Sequence, residues 1–87
     1  MKIEIEIPDD QELRFGSLAN KMISTDFDID GSFIIRANAN GLKTLAIHLL
    51  TLAQDNVQDG YHLHYDDIQP VGMLLPGSKD FLIMRIN

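Results

Sequence analysis

Two histidines and an aspartate recur at alternate positions in the second half of the chain: His62, His64 and Asp66. Residues two apart on a strand point to the same face of a sheet, so these three side chains would share one surface. Imidazole and carboxylate groups are metal ligands, and a metal-binding face is therefore one interpretation. Because such neighbours lie about 7 Å apart, chelation requires the side chains to converge. The other interpretations are a solvated sheet face and a contact with a protein partner.

A second candidate is an acidic run in which aspartates alternate with apolar residues: Asp26, Asp28 and Asp30. The run matches the opening of a calcium loop, D-x-D-x-D-G, but alanine stands at the twelfth position, where that loop needs a bidentate glutamate. Asp-Gly between two β-prone segments favours a hairpin, so we interpret the run as an acidic hairpin turn. Two registers stay open: a two-residue turn with Asp26 opposite Ile35, and a four-residue loop from Asp28 to Gly31.

The charge and composition of the chain narrow the classes of partner. Its 87 residues include 13 acidic and 7 basic side chains, which gives a formal net charge of −6. That balance disfavours nucleic acids and anionic membranes, because both repel an acidic surface, and it favours a cationic protein surface or a metal cation. No cysteine is present, so disulfides, thiolate zinc sites and a thiol nucleophile are excluded.

The sequence carries no signature of an enzyme. The serines lack a nucleophile motif, and neither of the glycine-rich loops that cradle nucleotide phosphates occurs. The first residues alternate isoleucine with charged residues instead of forming a signal peptide, and no apolar stretch reaches the roughly 18–20 residues of a membrane span. We therefore expect a cytoplasmic protein of one domain, over residues 1–87, with no catalytic residue and no cofactor.

Several segments with the periodicity of strands surround one helix. Alternation predicts strands at Ile3–Ile7, on both arms of the acidic hairpin and at Tyr61–Tyr65, and an apolar run predicts a last strand at Phe81–Ile86. The segment Leu13–Ser17 fits a strand or a loop. The expected fold class is therefore α+β, with one amphipathic helix packed on a mostly antiparallel β-sheet of four to six strands.

The helix is predicted over residues 41–55, with Asn38 or Asn40 as its N-cap. Its apolar residues recur at spacings of three and four and form one stripe, with His48 outside it: Leu42, Leu45, Ala46, Leu49, Leu50 and Ala53. We expect the stripe to face the sheet and to pack on apolar strand residues: Phe33, Ile35, Leu82 and Met84.

Three stretches of the chain resemble, in the same order, those of a known family, immunity protein 32 of bacterial polymorphic toxin systems. They are Phe33-Ile34-Ile35 followed by Asn38-Ala39-Asn40-Gly41 and the leucine-rich helix, then Gly60-x-His62-x-His64-x-Asp66, and then Leu75-x-Gly77-Ser78 before the last strand with Arg85. The resemblance covers residues 32–85. Two departures are Ala37, where glycine is expected, and Asp80, in a segment that is usually apolar.

The resemblance implies a cytoplasmic antitoxin that binds a cognate toxin domain, and it does not imply an enzyme. Many toxins that act on nucleic acids need a cationic surface, towards which an acidic inhibitor is steered. The expected contact residues form two groups: Asp26, Asp28 and Asp30, and His62, His64 and Asp66. One rival hypothesis is a small metal-binding protein or metal-dependent enzyme that uses His62, His64 and Asp66. Another is an oligomer in which exposed strands pair, and the chain is expected to be a monomer or a weak homodimer.

Overall fold

The structure, a computed structural model, describes residues 15–68 and 72–87 of the chain. Its elements follow in the order β1 (Ile23–Phe27), β2 (Phe33–Ala37), α1 (Ala39–Leu52), β3 (His62–Tyr65) and β4 (Phe81–Met84). The predicted strand Ile3–Ile7 lies outside the described residues, and so does the start of the Leu13–Ser17 segment. Among the residues described, no helix has the length and apolar character needed to cross a membrane.

The strands form two antiparallel pairs: hairpin 1 consists of β1 and β2, and hairpin 2 consists of β3 and β4. The α+β class is confirmed, but the described residues do not confirm one sheet of four to six strands. The segment between β3 and β4 runs along the edge of β1 instead. The N–H groups of Leu75 and Lys79 donate to the carbonyls of Ile23 and Thr25, at 2.8 and 3.2 Å. An irregular segment thus occupies the edge that a further strand would need.

Five residues join the two strands of hairpin 1, and Asp26 lies opposite Ile34. The two-residue register, which places Asp26 opposite Ile35, is therefore wrong. The four-residue alternative is closer, because the Gly31 N–H donates to Asp28 O at 2.9 Å and closes a turn of four residues. Gly31 has a φ angle of 88°, a conformation that glycine adopts without the steric cost of a side chain.

Side chains hold both ends of α1. At the N-terminus, Asn38 Oδ1 accepts hydrogen bonds from the backbone N–H groups of Gly41, at 2.8 Å, and Met22, at 2.9 Å. The N-cap therefore also ties the helix to the start of β1. At the other end, the Arg85 guanidinium donates to Leu52 O at 2.7 Å, which places a cation at the negative end of the helix dipole. The predicted helix is confirmed, with the bounds Ala39–Leu52 instead of residues 41–55.

The helix turns its more polar side towards the protein, and the predicted leucine stripe is wrong except at Leu45, which packs on the core. The buried positions share one face: Gly41, Thr44, His48, Thr51 and Leu52. Three leucines of the stripe are at least 43% exposed: Leu42, Leu49 and Leu50. Burial of the threonines costs little, because their hydroxyls donate to helix carbonyls four residues earlier, Thr44 to Asn40 O at 2.8 Å and Thr51 to Ile47 O at 2.7 Å.

The close contact between α1 and β1 at Gly41 explains this orientation. A Cβ atom at Gly41 would lie 2.5 Å from Met22 O and 2.9 Å from Ile23 Cγ1, so the helix backbone meets the strand with no room for a side chain. The positions that follow Gly41 on the same side of the helix must then face inward. Leu42, Leu49 and Leu50, on the other side, are left at the surface.

The core of the described residues is small and lies where α1 meets the two hairpins. Its fully buried members are Ile23, Tyr65 and Leu74. Partly buried apolar residues surround them: Ala37, Leu45, Leu63, Met73, Phe81 and Ile83. Phe81 stacks on Tyr65 with ring centroids 4.5 Å apart, which joins β4 to the centre of the core.

The expected packing of strand residues against the helix is wrong by one position on β4. Phe81 and Ile83 pack on the core, whereas Leu82 and Met84 are 50% and 51% exposed. Successive strand residues point to opposite faces, so a shift of one residue exchanges the buried set for the exposed set. Phe33 and Ile35 of β2, also expected in the core, are more than two-fifths exposed.

Replacement of Gly41 by alanine is expected to destabilise the protein, although alanine favours helix formation over glycine by about 1 kcal/mol. The new methyl group would overlap Met22 O, a backbone atom that moves only if β1 moves. We expect urea denaturation to show a free energy of unfolding lower by about 1–3 kcal/mol. Gly16→Ala is the control, because a Cβ there meets nothing within 4 Å. Wild-type stability of Gly41→Ala would contradict the close contact.

Candidate functional site

The outer face of hairpin 2 carries the two histidines singled out by the sequence. In the β-ladder His62 lies opposite Met84 and His64 lies opposite Leu82, so these four side chains share one face. Both histidines are exposed, and the two apolar residues are half exposed. His64 and Leu82 also line an open cavity of about 280 Å³ with Asp66, which follows β3, and Asp80, which precedes β4. We name His62, His64, Leu82 and Met84 the histidine face.

The geometry of the histidine face confirms that His62 and His64 are neighbours. Their ring centroids lie 4.9 Å apart at an interplanar angle of 66°. The Nδ1–H of His62 donates to Gly60 O at 3.0 Å, which turns that nitrogen towards its own chain. Asp66 is half buried, and its Oδ1 accepts from the Ile68 N–H at 3.2 Å. The two histidines therefore face solvent, whereas Asp66 organises the loop that follows β3.

A shared metal ion does not fit this arrangement. Across residues 15–68 and 72–87, no group of three or more histidine, aspartate or glutamate side chains is placed to hold one. His62 and Asp66 each direct a potential ligand atom to the backbone of the chain. The convergence required by the metal-binding hypothesis is thus missing from the described residues.

The aspartates of hairpin 1 form the second candidate surface, which we name the acidic turn: Asp26, Asp28 and Asp30. All three are exposed, and in each the Oδ1 atom accepts from a nearby backbone N–H group at 2.7–2.9 Å. The backbone N–H and then the side chain of Ser32 hold the pKa of Asp30 below its usual range. Ile29 is fully exposed at the tip. The hairpin interpretation of the acidic run is confirmed, and the turn presents carboxylates to solvent.

The structure divides the six predicted contact residues into two groups of three, one at hairpin 1 and one at hairpin 2. Asp26 lies in β1, and Asp28 and Asp30 lie in the turn between β1 and β2. His62 and His64 lie in β3, and Asp66 follows that strand. One apolar path connects the hairpins, since the Phe33 ring contacts Phe81 with centroids 5.7 Å apart. Phe27 extends the path to the base of the acidic turn, at 5.5 Å from Phe33, and is 58% exposed.

His48 is a buried titratable residue that the sequence placed on the wrong side of the helix. Its Nε2 lies 3.0 Å from Gly16 O and its Nδ1 lies 2.8 Å from the Tyr65 hydroxyl. Since a carbonyl only accepts, Nε2 carries the proton and Nδ1 accepts from Tyr65. The spacing of His48 from Thr44 and Thr51, four and three residues, was the signal that these polar residues share a face.

The electrostatics of His48 and Tyr65 follow from their burial. Desolvation lowers the pKa of His48, opposed in part by its hydrogen bond to Gly16 and assisted by the charge of Lys21. Burial raises the pKa of Tyr65 to about 12. Both ring nitrogens of His48 are engaged, so neither is left to take a proton from a substrate. We therefore assign the pair a structural role, in spite of the perturbed pKa values that often mark functional sites.

The buried neutral state of His48 predicts a loss of stability in mild acid. The folded-state pKa lies below the unfolded value of about 6.5, so below that pH the unfolded chain binds a proton that the folded protein excludes. The free energy of unfolding should fall as pH decreases through this window, by no more than about 1.4 kcal/mol per pH unit for one proton. Urea denaturation from pH 7.5 to 5.5 measures the slope.

Two variants separate His48 from the other histidines in this measurement. His48→Gln should be less stable at neutral pH and should lose the slope. His64→Gln, which changes an exposed residue, should retain it. A slope that persists in His48→Gln would show that another group causes it.

A comparison with known protein families places most of these elements in one family. The family model described as Immunity protein 32 matches residues 32–86, more than half of the chain. A search of curated proteins found no match, and a search of solved structures found none either. The matched residues contain β2, α1, β3 and β4, with the N-cap, the histidine face and the arginine at the helix end. The resemblance deduced from the sequence is thus confirmed, and the chain belongs to the immunity protein 32 family.

Proposed function

We propose that this protein is a bacterial immunity protein that binds a cognate toxin domain in the cytoplasm and blocks it by covering its surface. Membership of the immunity protein 32 family carries the proposal. An inhibitor of this kind acts by binding and needs no catalytic group of its own.

The acidic turn is the contact we propose for a cationic toxin. Its three carboxylates are exposed, Asp26 near the end of β1 and the other two in the turn that follows, within a chain of net charge −6. A toxin that acts on a nucleic acid must attract phosphates, and the same positive surface attracts an acidic inhibitor. Charges at the rim of such an interface mainly raise the rate of association.

The histidine face is the second contact we propose, because it combines exposed apolar and polar side chains. Leu82 and Met84 are half exposed beside two imidazole rings, a composition that suits the centre of a protein interface. Other residues that carry the family resemblance have roles inside the fold: Asn38 caps the helix and Ser78 Oγ accepts from the Thr25 N–H at 3.2 Å. The side chain of His64 is exposed and has no such role among the described contacts.

Removal of charge from the acidic turn should slow binding to the toxin. Asp28→Asn with Asp30→Asn removes two charges and keeps the Oδ1 atoms that accept the turn hydrogen bonds. We expect the association rate constant to fall by about three- to tenfold at low salt, with less effect at high salt, by stopped-flow or surface plasmon resonance measurements. Asp55→Asn with Asp59→Asn is the matched control, since it removes the same charge from exposed positions elsewhere. Equal effects of the two double variants would contradict a local role for the turn.

The proposed function itself is tested with the toxin domain that the proposal predicts to be encoded in the same operon. The two proteins should co-purify when expressed together, and the immunity protein should protect cells from the toxin. Separate elution of both proteins, with no protection of the cells, would overturn the proposal.

A further inference from the structure

The outer edge of β2 is a strand edge whose hydrogen-bonding groups have no partner among the described residues. In an antiparallel pair, two opposite residues either exchange backbone hydrogen bonds or both direct their N–H and C=O groups away from the partner strand. The carbonyls of Ile23 and Thr25 accept hydrogen bonds from the segment that follows β3, so the backbone groups of these two residues are directed away from β2. The backbone groups of their register partners, Ala37 and Ile35, are therefore directed away from β1, and by alternation so are those of Phe33. We name the backbone groups of these three β2 residues the β2 edge.

The β2 edge has few of the features that normally keep strand edges apart. The strand contains no proline and no lysine, its one charged residue is Arg36, and its register against β1 runs without a bulge. Phe33 and Ile35 are 41% and 43% exposed on the face that also carries Phe27. An unprotected edge with exposed apolar side chains is a template for another strand.

We propose that the β2 edge pairs with the same edge of a second copy of this chain, around a twofold axis at Ile35. In the antiparallel direction the edge is its own complement, because Ile35 would bond Ile35 of the second copy and Phe33 would bond Ala37. The small side chain of Ala37 accommodates the larger ring opposite it. Hairpin 1 of each copy would then contribute to one sheet of four strands. The inference goes beyond the proposed function and does not depend on a toxin.

The charges on the other face of hairpin 1 agree with this register. Arg36 is exposed and has no ion pair with another residue of the described segments. In the proposed dimer Arg36 lies opposite Ile34 of the second copy, and within that copy Ile34 lies opposite Asp26 of β1. Arg36 and Asp26 of the second copy then lie on the same face of the four-stranded sheet. Their backbones are about 10 Å apart, a distance that the two side chains can cross. Symmetry forms this contact twice, which offsets part of the repulsion between two acidic chains.

The size of the contact predicts a weak dimer. Each copy contributes one strand of five residues, which buries less than the roughly 1,600 Å² of a standard interface. Pairing should therefore depend on concentration. The apolar contribution comes from Phe33 and Ile35, whose exposed parts would be covered.

Sedimentation equilibrium on the full chain tests the proposal. Over about a hundredfold range of concentration, the wild-type mass should rise from one chain towards two. Ile35→Pro should stay monomeric, because it removes an outward N–H that hairpin 1 does not use. Ile35→Val keeps that N–H and should associate as the wild type does. A wild-type protein that stays monomeric at the highest concentration, or equal association of the proline and valine variants, would overturn the proposal.

Amide exchange of the wild-type protein gives a second readout, which does not require any variant to fold. The N–H groups of Phe33, Ile35 and Ala37 should exchange more slowly as concentration rises. Those of Ile34 and Arg36, which lie within hairpin 1, should be protected at every concentration. Protection of the β2 edge that does not change with concentration would mean that the chain covers its own edge, and this would also overturn the proposal.

Discussion

The close approach of α1 to β1 at Gly41 determines the orientation of the helix and, through it, the division between core and surface. The helix backbone reaches Met22 O with no space for a side chain, so the positions that follow on the same side of the helix face inward. Those positions are largely polar, and each polar group needs a partner. The threonines bond carbonyls of their own helix, and His48 bonds Tyr65 and Gly16. The contact at Gly41 thus makes the hydrogen bonds of the buried threonines and of His48 necessary.

The contact at Gly41 leaves leucines of α1 exposed, and other apolar residues are exposed on both hairpins, which agrees with the proposed binding function. Leucines of α1, Leu82 and Met84 on hairpin 2, and the phenylalanines of hairpin 1 are all partly open to solvent. A small domain has a thin core and a large surface, and it exposes some apolar area in any case. Here, however, the exposed residues lie on ordered strands and on a helix capped at both ends, so they form defined surfaces. On two of these surfaces the exposed apolar residues lie beside polar groups: carboxylates at the acidic turn and imidazoles on the histidine face.

Long-range side-chain contacts hold these surfaces in place. Arg85, at the end of the chain, donates to the carbonyls of Leu52 and Gln54 and so fixes the C-terminus of α1. Asn38 links the other end of the helix to the start of β1. Ser78 and Lys79 attach the segment after β3 to Thr25. Hairpin 2, the helix and hairpin 1 are therefore connected by residues that are distant in sequence.

Periodicity and residue type determined the local features: one helix with its N-cap at Asn38 or Asn40, the strands β1 to β4, the hairpin turn at Asp-Gly and a shared face for His62 and His64. The order of three family motifs also identified the family. These predictions succeeded because caps, turns and alternation depend on neighbours in the chain.

Only the tertiary structure decided which face of each element is buried. The helix has a leucine side and a mixed polar side, and its own periodicity favours burial of the leucines. The contact at Gly41 reverses that choice, because a backbone can approach closely only where no side chain intervenes. On β4, alternation leaves two faces open, and stacking of Phe81 on Tyr65 selects the one that packs inward. The sequence therefore determined the elements and their chemistry, whereas contacts between distant residues decided which side chains reach the surface.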